Sequence, residues 1–425
     1  MTPREKNNKI ITMRKKTPLK KYKLDNSALF YPILASKKSQ SLFRLTVELR
    51  DEIDPDLLKQ AINKTMERFP VFKTRLRMGY AWHYLGENTA DIKIFDKSKG
   101  VLTPIDPKEN NGYLFRFIVD GKTLIWEVFH GLCDGTGASV FFKGVLQNYR
   151  ELQGIEVSGD HAIDLVSEFS EEENEDAYKK HYTPITLKDA DIKGLKGVNP
   201  QLVYGTVDPN GYSSKTYYGK YSEVGKLAKD RGVTFTSFLA GVIAYTIATI
   251  NYGKRPIVVL VPVNLRPKFP SKTIRNFATF VRLTFDREKC GDVEECIQEA
   301  SRQLTAKTDK AELKKMIGTT VRTEKTLLLK IAPVWLKMMI AKFFRLFLKS
   351  RQTIIISNMG RFETPDSYGV EKAYFNVNVS KNAKTNLSAS TIDDTVAIAF
   401  TKSIVETDIE RIFVSTIESM GGRLE

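Results

Sequence analysis

Residues 124–149 read LIWEVFHGLCDGTGASVFFKGVLQNY, and this stretch decides the fold of the chain. Its first seven residues show the pattern of an apolar strand, in which His130 shares one face with every second apolar residue. A loop containing Asp134 and Gly135 follows, and residues 138–149 show helical spacing. We therefore expect His130 at the end of a strand and near the N-terminus of a helix. Asp134 would fold back to fix the loop, and Gly135 would permit a tight turn.

His130 is the one histidine of four whose surroundings indicate chemistry. Imidazole suits general-base catalysis because its pKa lies near the working pH. His83, His161 and His181 lie in contexts without a comparable pattern, and we interpret them as structural. The sequence contains no GxSxG elbow, and Cys133 within the loop is only a weak candidate nucleophile. The residues therefore favour His130 as the candidate base and contain no nucleophile in an activated setting.

Strands and helices are interspersed on both sides of this stretch. An alternating pattern predicts a half-buried strand over 43–50, and Asp54 followed by Pro55 predicts a capped helix start. An acidic run over 168–176 is interpreted as a solvated linker between two domains. This order of elements favours an α/β architecture. Further strands are expected at 256–263, 278–285, 353–357, 372–379 and 395–402, and further helices at 235–250 and 292–306.

The composition is that of a globular protein of more than one domain. The chain has 425 residues, of which 42% are hydrophobic and 27% charged, so a large core is possible. Its three cysteines form no CxxC pair, which predicts reduced thiols in a cytoplasmic protein, with neither a disulfide framework nor a metal site. We expect no secretory signal and no membrane span, because the N-terminus is charged throughout and no run of 18 apolar residues occurs.

The formal charge of +16 is concentrated in two segments. Residues 1–23 hold nine basic residues and one acidic residue, and residues 322–351 hold eight and one. A nucleic-acid-binding fold would carry a basic face built into the domain, and the remaining chain is nearly neutral. The charge pattern therefore argues against nucleic acid and favours an anionic membrane surface.

The second basic segment is also strongly apolar. Residues 325–350 combine cationic residues with Leu, Ile, Val, Trp, Met and Phe, and Pro333 is expected to interrupt the helix. A helix of this composition can lie in a membrane interface. It can equally pack on the core with its lysines facing solvent. The sequence leaves both interpretations open.

Several motifs together resemble one acyltransferase superfamily. HGLCDG (130–135) resembles the HxxxDG signature of the chloramphenicol-acetyltransferase-like enzymes, which include peptide condensation domains and alcohol acetyltransferases. VPVNLRP (261–267), RNFATFVRLTF (275–285) and ISNMGRF (356–362) are similar to further elements of that superfamily. The resemblance is strongest to the bacterial alcohol acetyltransferase type. Phe129 departs from the second histidine of condensation domains, and Arg275 stands where glycine is common.

The resemblance implies an α/β fold of two lobes, each a mixed β-sheet with flanking helices, with an active-site channel between them. It predicts a basic disordered tail at 1–25, an N-terminal lobe at 26–185 that carries HxxxDG, and a C-terminal lobe at 186–425. It also implies that Asp134 is structural and forms an ion pair with Arg266, since a buried carboxylate must be paired.

The resemblance implies direct transfer of an acyl group in a ternary complex, with His130 as the base. The oxyanion of the tetrahedral intermediate would need a hydrogen-bond donor near His130. Spacing alone does not select among four candidates for oxyanion or substrate binding, which are Asn276, Thr279, Ser357 and Asn358.

These inferences predict an acyl-CoA-dependent O-acyltransferase that is expected to be monomeric and to bind no cofactor or metal. Its partners would be acyl-CoA as co-substrate, an alcohol acceptor and an anionic membrane surface contacted through 1–23 and 325–350. We expect a cytoplasmic protein, with peripheral attachment to the inner membrane face left open. The alternatives are an N-acyltransferase or stand-alone condensation enzyme with a carrier-protein thioester, and a catalytically silent membrane-docking module of the same fold.

Overall fold

The structure is a computed structural model that describes residues 20–35, 40–96, 100–186, 198–250, 253–347, 352–380 and 383–425. Its strands form three sheets. The strands are β1 (Lys21–Lys23), β2 (Leu42–Leu49), β3 (Thr74–Met78), β4 (His83–Glu87), β5 (Ile94–Phe95), β6 (Phe115–Asp120), β7 (Thr123–Phe129), β8 (Ser213–Lys220), β9 (Ile257–Asn264), β10 (Ala278–Phe285), β11 (Ile354–Arg361), β12 (Val370–Val377), β13 (Thr385–Ile392) and β14 (Thr395–Lys402).

The described helices flank these sheets, and their starts follow the expected capping chemistry. Asp54 accepts hydrogen bonds from the backbone N–H groups of Asp56 and Leu57, as its position before Pro55 predicts. The α-helices are α1 (Tyr31–Leu34), α2 (Pro55–Arg68), α3 (Gly135–Leu152), α4 (Ala177–Lys180), α5 (Tyr221–Asp230), α6 (Phe235–Thr249), α7 (Val293–Lys307), α8 (Lys310–Lys325), α9 (Leu327–Ile331), α10 (Val334–Phe347) and α11 (Asp408–Ser419).

The first lobe is built on a five-stranded sheet in the order β12-β2-β7-β6-β5. Helix α3 packs on β7 through an aromatic core, in which the ring of Trp126 lies 5.3 Å from that of Phe141 and Phe141 stacks on Phe72 at 3.9 Å. This core fixes the end of β7 relative to the start of α3. The loop that carries His130 is held between them.

The prediction that β2 is half-buried is wrong, because both faces of the strand are covered. Arg44 and Thr46 were expected to face solvent, yet they are 7% and 1% exposed. The guanidinium of Arg44 donates from Nε to Oε1 of Glu127 at 2.8 Å, and Arg116 donates to the other oxygen of the same carboxylate at 2.6 Å. The alternation in the sequence therefore marks a buried ion-pair cluster rather than a solvated face.

The second lobe is built on a six-stranded mixed sheet in the order β10-β9-β11-β13-β14-β8. Strand β11 runs parallel to β9 and β13, and the other pairs are antiparallel. Helix α6 packs tightly on α7 at Gly241, where a Cβ would lie 2.4 Å from the Cα of Ile297. The sheet and helices match the expectation of a second α/β lobe.

Strand β12 crosses from the second half of the chain into the first sheet. It pairs with β2 along its length, with Phe375 opposite Leu45. On its other side it packs on the second sheet, where the Ser390 hydroxyl of β13 donates to the Ala373 carbonyl at 2.9 Å. A division of the chain at residue 185 therefore does not separate the two sheets completely.

The expected disordered tail at 1–25 is wrong for residues 20–25. Strand β1 pairs with β4, and β3 completes this small sheet on the other side of β4. Leu24 and Asp25 are buried at 3% and 2% exposure. Residues 1–19 lie outside the described residues. Residues 24 and 25 reach into the interior, because Asp25 accepts hydrogen bonds from donors there.

The acidic run over 168–176 is also more than a solvated linker. Glu173 forms an ion pair with Arg68 of α2 at 2.7 Å, and Glu172 forms one with Lys272, between β9 and β10, at 2.8 Å. Asp176 accepts from the backbone N–H of Asn26 at 3.0 Å. The run is therefore fixed against both lobes by charge pairing.

Candidate active site

His130 directly follows β7, and its ring is held by two aromatic neighbours. The imidazole stacks on Tyr31 of α1 at 4.8 Å with an angle of 20° between the planes. Phe43 of β2 meets the ring edge-on at 5.1 Å, and the backbone N–H of His130 donates to the Ser41 carbonyl at 2.7 Å. These contacts fix the orientation of the ring at the end of the sheet.

Asn276 sets the protonation pattern of the imidazole. Its Oδ1 lies 3.0 Å from Nδ1 of His130, and its Nδ2 donates to Oδ2 of Asp25 at 3.1 Å. Asp25 also accepts from the backbone N–H groups of Ala28 at 2.8 Å and Asn276 at 3.3 Å, so it acts as an acceptor. The Asn276 oxygen therefore faces His130, and neutral His130 carries its proton on Nδ1.

This arrangement leaves Nε2 of His130 as the basic nitrogen. Within the described parts of the chain, no protein group forms a hydrogen bond with Nε2. Burial lowers the pKa of His130 below its usual value, and a hydrogen bond to its own backbone, with smaller contributions from Asp134 and Asn276, opposes that shift. The imidazole is therefore neutral at neutral pH and able to accept a proton at Nε2.

Asp134 caps α3 and binds two partners from a distant part of the chain. Its side chain accepts from the backbone N–H of Gly137 at 3.0 Å and from that of Phe277 at 2.7 Å. Arg266 donates through Nη1 to Oδ2 at 2.8 Å and through Nη2 to Oδ1 at 3.2 Å. The ion pair expected between Asp134 and Arg266 is thus present, in bidentate form and buried.

Arg266 links this loop to the connection between β9 and β10. Besides Asp134, its guanidinium donates to the backbone carbonyls of Thr273 at 2.9 Å and Arg275 at 2.8 Å. The two lobes are therefore joined beside His130 by one fully bonded guanidinium. This role is structural, because the ion pair makes no direct bond to the imidazole.

Packing requires a glycine at position 137. At position 135 it does not, so the expectation that Gly135 is needed for a tight turn is wrong. A Cβ at Gly135 would meet nothing within 4 Å, so no obstruction explains the glycine. At Gly137 a Cβ would lie 1.9 Å from the carbonyl oxygen of Ile274. The start of α3 therefore approaches the 274–277 backbone closely, and space remains open beside Gly135.

Arg275 and Asp25 are site residues that the sequence reasoning missed. Arg275 is 1% exposed and donates to the Leu132 carbonyl at 3.2 Å and to Oδ1 of Asn174 at 3.0 Å. Its guanidinium lies 3.8 Å from the Asp25 carboxylate. It therefore joins the N-terminal segment, the HxxxDG loop and the acidic run. No local signal places Asp25 in the site, because the residues that link it to His130 lie some 250 residues away in the chain.

The four candidates for oxyanion or substrate binding occupy different places. Asn276 is 2% exposed, and its amide is already bonded to His130 and Asp25, so it orients the base. Asn358 donates to the Thr236 hydroxyl at 3.1 Å. Thr279 of β10 and Ser357 of β11 are partly exposed. In the described chain no hydrogen bond connects Thr279, Ser357 or Asn358 to His130.

Two other features of the sequence have simple outcomes. Cys133 is fully buried, and burial together with Asp134 raises the pKa of its thiol, so it is not an activated nucleophile. Among the residues that the structure describes, no group of three His, Cys, Asp or Glu side chains could hold a metal ion.

Within the same residues no single helix is long and apolar enough to cross a membrane. Helices α5 and α6 pass that test only as a pair bent by 85°.

Comparison with solved structures shows the same fold over nearly the whole chain. Polyketide synthase associated protein 5 from Mycobacterium tuberculosis is 14% identical, with a TM-score of 0.58 over 88% of this chain and 93% of that one. TRI101 of F. graminearum, complexed with coenzyme A and T-2 mycotoxin, is 12% identical, with a TM-score of 0.61 over 95% and 99%. The first condensation domain of the CDA synthetase is 11% identical, with a TM-score of 0.62 over 94% and 96%.

No protein-family model and no curated protein matches the sequence. The predicted two-lobed, chloramphenicol-acetyltransferase-like fold is confirmed by these structures, which include both acetyltransferase and condensation-domain types.

Proposed function

We propose that the chain is an acyl-CoA-dependent O-acyltransferase of the alcohol acetyltransferase type, with His130 as general base. The observation that carries the proposal is the fixed neutral imidazole. Oδ1 of Asn276 accepts a hydrogen bond from Nδ1 of His130. Nε2 is therefore the nitrogen that can act as a base, at the meeting point of the two lobes. The fold is shared with TRI101, which was solved with coenzyme A and a mycotoxin bound, and this supports a thioester donor.

The proposed reaction is direct transfer. Nε2 of His130 removes the proton of the acceptor hydroxyl as its oxygen attacks the thioester carbonyl. Collapse of the tetrahedral intermediate breaks the carbon–sulfur bond, and the imidazolium returns its proton to the departing thiolate. No covalent acyl-enzyme is required, in agreement with the buried, protonated thiol of Cys133.

The oxyanion would be stabilised by a donor that is not already bonded to the base. Asn276 already accepts from Nδ1 of His130 and donates one Nδ2 proton to Asp25, so we assign it to orienting the base. The hydroxyls of Thr279 and Ser357 are partly exposed on strands β10 and β11, which flank β9. They remain our candidates for this role, and each would be worth about 10²–10³ in rate if it is the main donor.

A small cavity lies near the end of β7, and His130 does not line it. It has a volume of about 170 Å³ and is lined by Pro32, Leu76, Leu114 and Phe129 among others. Pro32 follows the Tyr31 that stacks on the imidazole, and Phe129 precedes His130 in the chain. Pockets for drug-sized ligands have volumes of about 300–1,000 Å³, so any substrate group that enters this cavity must be short.

A second candidate function uses a carrier-protein thioester or an amine acceptor. It is favoured by the likeness to the condensation domain of the CDA synthetase, whose TM-score of 0.62 is close to the 0.61 of TRI101. Phe129, in place of a second histidine, argues against the peptide-condensing type.

The test of the proposal is product analysis with the purified full chain. Acyl-CoAs from acetyl to palmitoyl are offered with mixtures of alcohols and amines, and products are identified by mass spectrometry. We expect esters of short acyl groups, formed with stoichiometric release of free CoA thiol. Amides, or ester formation only from an acylated carrier protein, would support the second candidate. No product from any thioester would contradict both.

Replacing Asn276 should impair catalysis without removing the base. In Asn276→Ala, the imidazole loses its Nδ1 acceptor, and the misplaced base should lower kcat about 10²-fold. Because the Asn276 hydrogen bond raises the pKa of His130, its loss should also move the acid limb of the kcat/KM profile to lower pH. Both effects are measured in steady-state pH profiles.

The matched control is Asn376→Ala, which removes a similarly buried asparagine that bonds Ser214 and Thr401 where the lobes pack. It should lose stability and keep the wild-type pH profile. A wild-type kcat in Asn276→Ala would show that Asn276 does not position the base.

A further inference from the structure

Helix α10 presents its apolar side chains to the outside of the molecule. Trp335 and Met339 are 55% and 60% exposed and lie one helical turn apart on one face. Ile340 beside them is 45% exposed, and Ile331 at the end of α9 is 56% exposed. Large apolar side chains at these positions form a continuous stripe rather than scattered surface residues.

The face of α10 that packs on the protein carries a buried lysine. Lys337 is 5% exposed, its Nζ donates to the Ala81 carbonyl, and it lies 3.5 Å from the centre of the Trp82 ring. Val334 is buried next to it at 1% exposure. Helix α10 thus buries a lysine and exposes large apolar side chains, whereas an ordinary surface helix does the reverse. The interpretation in which the lysines of this segment face solvent is wrong for Lys337.

The turn between β3 and β4 extends the apolar stripe. Met78 and Tyr80 are 60% and 75% exposed. The Tyr80 carbonyl accepts from the backbone N–H of Val334 at 2.7 Å, which fixes the turn against the start of α10. We call Met78, Tyr80, Ile331, Trp335, Met339 and Ile340 together the apolar patch.

Basic side chains flank the apolar patch, and others stand on the face of the small sheet opposite to Met78. In the small sheet, Lys23, Tyr84 and Arg77 stand opposite one another, and Lys21, Gly86 and Arg75 form the next row on the same face. Directly paired residues of antiparallel strands share a face, so this face carries four basic side chains. Lys330 and Lys342 are exposed beside the patch on α9 and α10.

We propose that the apolar patch and the basic side chains that flank it dock the protein on the interface of an anionic lipid bilayer. The apolar side chains would enter the headgroup region, and the basic side chains would contact lipid phosphates and carboxylates. The charge selects this occupant over a second copy of the chain, because patch-to-patch contact would bring Lys330 and Lys342 of both copies together. Helices α5 and α6 are not part of this docking surface, because most of α6 is buried in the core.

The docked orientation has a consequence that rests on the proposed function. Helix α10 packs on α1, which carries the Tyr31 that stacks on His130. Docking therefore brings this side of the site towards the lipid, where moderately hydrophobic alcohols partition. We expect the acceptor to belong to that class.

The test is co-sedimentation of the full-length protein with vesicles, which requires no activity. Vesicles of phosphatidylcholine alone are compared with vesicles containing about one quarter phosphatidylglycerol. We expect binding to the anionic vesicles at low salt and release at high salt, because the charge contribution is screened within about 10 Å. The triple variant Trp335→Ser, Met339→Ser, Ile340→Ser should lower the partition coefficient about 100-fold or more.

The matched control removes exposed apolar residues elsewhere, in Val166→Ser, Val207→Ser, Val405→Ser, whose side chains are 97%, 67% and 47% exposed. It should bind like the wild type. Trp335 gives an independent signal, since its emission should shift to the blue on anionic vesicles and Trp335→Phe should lose the shift while retaining binding.

Three outcomes would overturn the proposal. These are no sedimentation with anionic vesicles at low salt, equal sedimentation of the triple variant, and a dimer in solution that the triple variant abolishes. Because the readout is sedimentation, an inactive protein that still binds anionic vesicles would contradict the proposed function and leave the docking surface standing.

Discussion

His130→Ala should lose about 10²–10⁴ in kcat while the protein remains folded. The loss is expected because Nε2 is the base that the structure leaves available, and general-base catalysis contributes about this much. The loss is equivalent to about 3–5 kcal/mol of transition-state stabilisation. The ring stands at the end of a strand, where truncation should be tolerated. Turnover is measured as CoA release with the best donor and acceptor pair, and the fold by circular dichroism.

The control for His130→Ala is His181→Ala. His181 also stacks on an aromatic ring, that of Phe277 at 5.7 Å with 16° between the planes, but it bonds only a backbone carbonyl through Nε2. It should retain wild-type turnover. Burial lowers the pKa of His130, so the wild-type rate should hold down to pH 6.5 and fall only below it, as the imidazole becomes protonated. Comparable turnover in His130→Ala, or an acid limb above pH 6.5, would exclude His130 as the base.

Asp134→Asn should destabilise the protein by about 3–5 kcal/mol, because removal of one partner leaves the buried charge of Arg266 uncompensated. Asparagine keeps a cap on α3, so the change isolates the charge. Arg266→Ala should cost a similar amount, and the double variant Asp134→Asn, Arg266→Ala should cost much less than the sum. The free energies of unfolding come from urea titrations followed by fluorescence and circular dichroism.

Gly135→Ala is the control for this cycle, because it changes the next residue where a Cβ meets nothing within 4 Å. Its free energy of unfolding should stay near that of the wild type. Additive effects of the two substitutions would mean that Asp134 and Arg266 are not energetically coupled, despite their distance of 2.8 Å.

Local patterns predicted the elements that frame the site. The spacing of apolar residues located β7, α3, β10 and β14 to within a few residues, because burial of a strand face or helix stripe imposes a period on the sequence. The break at Pro333 also occurs as expected, between Ile331 at the end of α9 and Val334 at the start of α10. These inferences depend only on neighbours in the chain.

The site itself could be predicted only in part. The position of His130 after a strand and the partnership of Asp134 with Arg266 followed from the motif and its resemblance. The role of Asn276 as the orienting group did not, because it depends on Asp25, which lies in a segment that appeared to be a tail. Polar side chains at strand ends look alike in sequence, and distant contacts decide which of them faces the base.

Lys337 shows the same limit on the surface. Its position in a basic, apolar helix gave no sign of which face is inward, since lysine at a buried position is rare. The Ala81 carbonyl and the Trp82 ring supply the partners that make burial possible. The orientation of α10 thus depends on a turn more than 250 residues earlier in the chain.

The crossover of β12 has a consequence for synthesis on the ribosome. Lys372 of β12 pairs with Glu48 of β2 across a separation of 324 residues. At about 5–20 residues per second, the nascent chain must present an unpaired β2 edge for roughly 15–65 s before β12 emerges. An open strand edge of this kind invites pairing with other chains. The first lobe therefore completes its sheet late in translation, and faster elongation shortens the time for which the β2 edge is open to other chains.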